Sequence, residues 1–196
     1  TFGFDVEAWW QWVWEEKPHL PAEYAVEKAR LYSVVDHRFR RYFRSQWLPT
    51  ARIRLDEIRW GGVSQDGIPP LRHPEMITAA AAASWLEDSD IVFGVVLGDE
   101  AHAYPRRILA WHELLTTTIG GEPVAGVYCT LCGTMIVYKT RVDSVEHALG
   151  TSGFLFRSNK LMYDRKTQSL WSTLWGEPVL GPLADSGIRL QRHPVV

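Results

Sequence analysis

Cysteine is scarce in this chain. Its 196 residues hold two, Cys129 and Cys132, too few for the disulfide framework on which small secreted domains rely. There is no surplus of either charge: 21 Lys and Arg stand against 23 Asp and Glu, a net charge of -2. A protein that neutralises phosphate backbones needs a basic surplus or stripe, so no nucleic-acid partner is expected. The one basic cluster, Arg38-Phe39-Arg40-Arg41-Tyr42-Phe43-Arg44, reads as a helix whose aromatics pack while its arginines face water. No apolar run reaches the roughly 20 residues that span a bilayer, so no transmembrane segment is expected. A basic-then-apolar start of the signal-peptide kind is also missing. The chain opens at Thr1 without Met, which fits a processed or truncated start. Without a Gly-x-Ser-x-Gly elbow, a phosphate loop or a dinucleotide fingerprint, the common hydrolase and nucleotide-binding readings lose their footing. Internal repeats are absent.

What is present supports a sizeable core: 46% of the residues are hydrophobic, enough to exclude global disorder. Tryptophan is dense at the start, at Trp9, Trp10, Trp12 and Trp14. Asp5 is placed to cap a helix from Val6 to Glu16, which Pro18 and Pro21 end. A second helix runs from Pro21 to about Val35, and Asp36 caps a short third through Phe43. Residues 1–48 thus form an aromatic-rich helical extension whose rings are read first as packing groups and second as a surface for a protein partner. Residues 49–196 form the main domain. An irregular, ordered arm occupies 49–75, and the alanine-rich stretch Glu75–Leu86 reads as helix.

From Asp90 the pattern turns to strands. Ile91–Leu97 and Ala101–Tyr104 flank Gly98-Asp99 as a hairpin. A helix from Arg106 to about Thr117 is predicted to end at Gly120-Gly121. Strands lead into Cys129 and out from Met135. Two short strands are expected around Gly150 and Gly153, then a strand and turn over Leu161–Arg165 and Leu170–Ser172, then a loop from Gly176 to Pro182. The fold class is α+β: a compact, mainly antiparallel β core with one or two helices, preceded by the helical extension.

Cys129-Thr130-Leu131-Cys132-Gly133 carries the chemistry. Two thiols three positions apart on a turn face one side of the backbone, where they hold a soft metal or cycle between dithiol and disulfide. Zinc needs two further ligands, or one with an open position. His112 is the first candidate, because its helix precedes the strand that delivers Cys129. Its neighbour Glu113 is a candidate base or orienting group. His102 and His147 are weaker candidates and are expected at the surface. A thioredoxin-type mechanism places the first cysteine at a helix N-terminus, whereas here a strand follows Cys132. Asp164 and Arg165 read as a structural ion pair or as a clamp for a small-molecule substrate.

The series Ala103-Tyr104-Pro105, Ile108–Glu113, Tyr128–Thr134, Ser152-Gly153 and Leu161–Ser172 resembles the prokaryotic family known as domain of unknown function 3179 (DUF3179). The resemblance runs from about Trp60 to Leu190, and the helical segment before it resembles an extension found in part of that family. One departure is Thr130, where the family pattern has proline. The resemblance implies a shared fold and shared functional positions. It also implies export, hence a periplasmic or extracellular location. For an exported protein, two thiolates with one imidazole form a soft, incomplete ligand set that favours copper over zinc. The expectation is therefore a metal-binding or redox protein centred on Cys129 and Cys132, with His112 as third ligand and Glu113, Asp164 and Arg165 as catalytic candidates. As an enzyme it would be a copper-dependent oxidoreductase. The alternative is a non-catalytic module braced by metal or by a disulfide.

Overall fold

The computed structural model describes all residues, 1–196. The helical extension opens with α1 (Val6–Glu16) and α2 (Glu23–Ser33). Asp5 accepts the Ala8 N–H and caps α1, and Lys17 closes it in the left-handed region at φ 45°. Asp36 likewise accepts the Arg38 N–H and starts a 3-10 helix over His37–Arg41. That turn places Phe39, Tyr42 and Phe43 around the ring of Phe154, with centroids 4.5, 5.9 and 5.2 Å away. By contrast α1 buries no residue. It rests Trp10 on the Arg59 guanidinium at 3.5 Å and leaves Trp9, Trp12 and Trp14 exposed.

The arm contributes β1 (Ile58–Trp60) and β2 (Leu71–Arg72), followed by the single helical turn α3 (Ala79–Ala82). The structure thus shortens the helix expected over Glu75–Leu86. α3 buries none of its residues, and a helix this short without a buried face has little beyond alanine's propensity to hold it. Next come β3 (Val92–Leu97), β4 (Glu100–Pro105) and α4 (Arg106–His112), then β5 (Leu114–Ile119) and β6 (Glu122–Cys129). Here too the predicted helix is too long. Glu113 adopts the left-handed region at φ 55°, and the β-branched run Thr116-Thr117-Thr118-Ile119 continues as strand. Gly120-Gly121, both at positive φ, turn a β5–β6 hairpin and do not cap a helix.

The chain finishes with β7 (Thr134–Lys139), β8 (Arg141–Val142), β9 (Val145–Glu146), β10 (Leu149–Phe156), β11 (Asn159–Asp164), β12 (Leu170–Ser172), β13 (Glu177–Leu180) and β14 (Gln191–His193). The loop expected over Gly176–Pro182 contains β13, a buried strand at the sheet edge, where Pro178 is tolerated. Gly150 and Gly153 lie in the single strand β10, whose register shifts between Thr151 and Leu155.

Two five-stranded sheets result, ordered β1-β10-β11-β12-β13 and β14-β7-β6-β5-β2. Every pairing is antiparallel except β2 with β5. One apolar cluster, with Leu114, Val127, Tyr138, Met162 and Trp171, draws on both sheets and fills the space between them. A second joins the first sheet to the helical extension. A third joins the other sheet to the β3–β4 hairpin and α4. The architecture is α+β with an antiparallel core behind N-terminal helices, as the sequence led us to expect. No helix is long and apolar enough to cross a membrane.

Candidate functional site

Strand parity places the site. On β6, Ala125 and Val127 belong to the intersheet core, so Cys129, two residues on, points the same way and is buried. On β11, Met162 belongs to that core, so Lys160 and Asp164 share its face. Cys129 and Lys160 therefore meet at one open end of the sandwich.

The turn from β6 to β7 is closed by Cys132 and Gly133, whose N–H groups donate to the Cys129 carbonyl at 3.3 and 2.8 Å. Gly133 supplies the positive φ of 64° that this turn requires. Both cysteines are free, one buried and one exposed, and their sulfurs lie 3.0 Å apart. Cys132 Sγ also approaches Asn159 Oδ1 at 3.4 Å. The hydrogen bond with Cys129 raises the Cys132 pKa, and so do desolvation and charge on Cys129.

Beneath Cys129, the Lys160 ammonium donates to Glu113 Oε2 at 2.7 Å, to the Glu113 carbonyl at 3.2 Å and to the Tyr128 carbonyl at 3.3 Å. Its three donors are thus spent, and it acts on the neighbouring sulfur through charge. Burial pulls its pKa below the usual lysine value, against the opposing pull of Glu113 and of charge on Cys129. The other Glu113 oxygen accepts the Thr130 hydroxyl at 2.7 Å. Thr130 thus fastens the turn to the carboxylate. A cavity of about 160 Å3 opens over Glu113, Cys129, Thr130 and Lys160, with Phe154 and Leu161 among its apolar walls.

Of the residues singled out from sequence, the structure brings Cys129, Cys132 and Glu113 together. His112 ends α4 and donates from Nδ1 to the Pro69 carbonyl at 2.8 Å. No group of three or more His, Cys, Asp or Glu side chains converges as a metal site. Asp164 and Arg165 lie at the far end of β11 from Lys160. Asp164 accepts the N–H groups of Lys166 and Thr167 at 2.9 and 2.6 Å and faces His147 Nδ1 at 3.1 Å. Arg165 pairs with Asp66 at 3.3 Å. His147, expected at the surface, is buried against Asp164. Lys160 escaped the sequence reading, although a lysine two positions before an inward Met162 carries the inward parity of the strand.

The fold and this site define an antiparallel two-sheet protein with a paired-thiol turn at one end of its sandwich. The chain belongs to the family described as protein of unknown function (DUF3179), whose model matches residues 65–196; the helical extension precedes the match. No curated protein and no solved structure matches the chain.

Proposed function

We propose that this protein performs thiol–disulfide exchange through Cys129 and Cys132. The observation that carries the reading is the contact between two free sulfurs, one exposed and one buried beside an ammonium. Thiolate is the attacking species, and access decides which sulfur is attacked or attacks first. The Cys132 thiolate attacks one sulfur of a partner disulfide, the partner's S–S bond breaks, and the departing sulfur takes up a proton. Cys129 then gives up its proton and attacks the Cys132 sulfur of the mixed disulfide, expelling the second partner sulfur as a thiol. The partner gains two electrons and two protons, and the chain closes the Cys129–Cys132 bond. The Lys160 charge favours the thiolate of Cys129 in the second step, while Glu113 holds that charge and the turn in place. Because the Cys132 pKa is raised, exchange accelerates as pH rises above the usual cysteine range. In an oxidising compartment, such as the periplasm or cell exterior, the resting form is the disulfide.

The test is equilibration with mixtures of reduced and oxidised glutathione, alkylation of remaining thiols, and mass spectrometry. The expected result is a reversible loss of two hydrogens, with Cys129→Ser trapping a glutathione adduct on Cys132. Two thiols that stay reduced in excess oxidised glutathione would overturn the reading.

The same sulfurs support a second reading, as a Cu(I) site. Without a third converging ligand, the pair falls short of zinc's usual set but suffices for Cu(I). Competition with a chromogenic Cu(I) chelator tests it. One copper per chain, lost in Cys129→Ser, supports copper, and no copper retained against the chelator removes it.

A further inference from the structure

A large apolar cavity lies away from the cysteines, between the segment 74–86 and the β3–β4 hairpin. Its volume is about 720 Å3, within the roughly 300–1,000 Å3 of small-molecule sites. Twelve of its 16 lining residues are apolar, and a contiguous apolar surface left open to solvent on this scale marks a binding site more often than a packing defect. Met76, Ile77 and Trp85 line it and remain 42, 53 and 41% exposed. Arg107 pins its wall from outside. It donates to the Trp85 carbonyl, lies 5.0 Å from the Trp85 ring and pairs with Asp90 at 3.4 Å.

The polar groups in the lining are few and informative. His102 Nδ1 and the Tyr104 hydroxyl are 3.0 Å apart. With the proton on His102, the Tyr104 hydroxyl is free to donate; with Tyr104 donating to His102, its oxygen is free to accept. Burial pushes the Tyr104 pKa to about 12, so the hydroxyl keeps its proton at neutral pH. Glu75 is the one carboxylate in the lining, and neither Lys nor Arg is part of it. An anionic head group would find no cation there and a carboxylate nearby.

We propose that this cavity binds a neutral, largely apolar small molecule carrying a hydroxyl or carbonyl oxygen, which the His102–Tyr104 pair holds while the 74–86 segment covers its apolar body. The proposal is independent of the chemistry assigned to the cysteines.

Nile red fluorescence tests it, with decan-1-ol and decanoate as competitors of equal chain length. Saturable dye binding is expected, with decan-1-ol displacing it at a concentration about tenfold or more below decanoate, because a buried unpaired anion is costly. Ala82→Trp, which fills the cavity, should weaken dye binding by about tenfold while leaving the reactivity of Cys132 unchanged. Should Ala82→Trp lose its fold, Met76→Trp gives the same readout from a second position on the 74–86 wall. His102→Leu should weaken decan-1-ol more than the dye. Absence of saturable binding, indifference of the folded cavity-filling variant, or a preference for decanoate would each overturn the proposal.

Discussion

Lys160 and Asp164 stand on the same face of one strand, about 13 Å apart at 3.3 Å per residue, and both are buried. Their surroundings differ in kind. Asp164 is enclosed by its own turn: two backbone N–H groups and the His147 ring satisfy it, and His147 in turn packs on Trp171 at 5.1 Å. Lys160 also has its donors satisfied, yet it lies in the wall of a cavity, against a sulfur that touches a second, exposed sulfur. A buried charge is expensive wherever it stands. At the Asp164 end the charge ties a turn to the sheet. At the Lys160 end the charge stands near a thiol, the group on which the proposed exchange rests.

The comparison can be broken most forcefully at Asp164. Asp164→Ala leaves His147 without its partner and two turn N–H groups unmet, so urea denaturation should show a loss of about 3–5 kcal/mol while thiol exchange by the folded fraction is unchanged. Next in size is Glu113→Ala, which leaves the Lys160 ammonium without its counter-charge; a loss of about 2–3 kcal/mol is expected. Its pH dependence has a definite sign. Burial holds the Lys160 pKa below its unfolded value, so the folded state binds fewer protons, and stability rises with pH between the lowered value and 10.5. Removing Glu113 should steepen that rise. Asp36 sharpens the structural side. Burial pushes its pKa up, but the bonds from Arg38 and from the Gln65 N–H more than reverse this and hold it at about 2. Its contribution is therefore complete above the unfolded value of 3.8 and disappears as pH falls towards 2. Acid titration of stability should lose that step in Asp36→Asn. Smallest is Cys132→Ser, within about 0.5 kcal/mol of wild type by the same denaturation, although it abolishes ring closure.

Local signals were legible in the sequence where local chemistry decides. Asp5 and Asp36 cap as their positions predicted, and the turn at Cys129–Gly133 stands between the two strands expected for it. Legibility failed where pairing decides. Leu114 and Leu115 continue the apolar spacing of α4, and nothing nearby announces that Glu113 turns left-handed and starts a strand. Pro178 disguised β13, whose partner is β12. Glu113 was singled out as a companion of His112, but its importance comes from Thr130 and Lys160, 17 and 47 positions away. Lys160 itself has no meaning until β11 is aligned with the end of β6, and His147 looked like a surface residue until β11 delivered Asp164 to it.

The most direct measurement is the rate of disulfide exchange with an aromatic disulfide reagent for wild type, Lys160→Met and Asp164→Asn, all verified as folded. If the working end of β11 is the one that carries Lys160, ring closure slows by about tenfold or more in Lys160→Met and is unchanged in Asp164→Asn. Equal rates in wild type and Lys160→Met, with a slowed Asp164→Asn, would contradict the account.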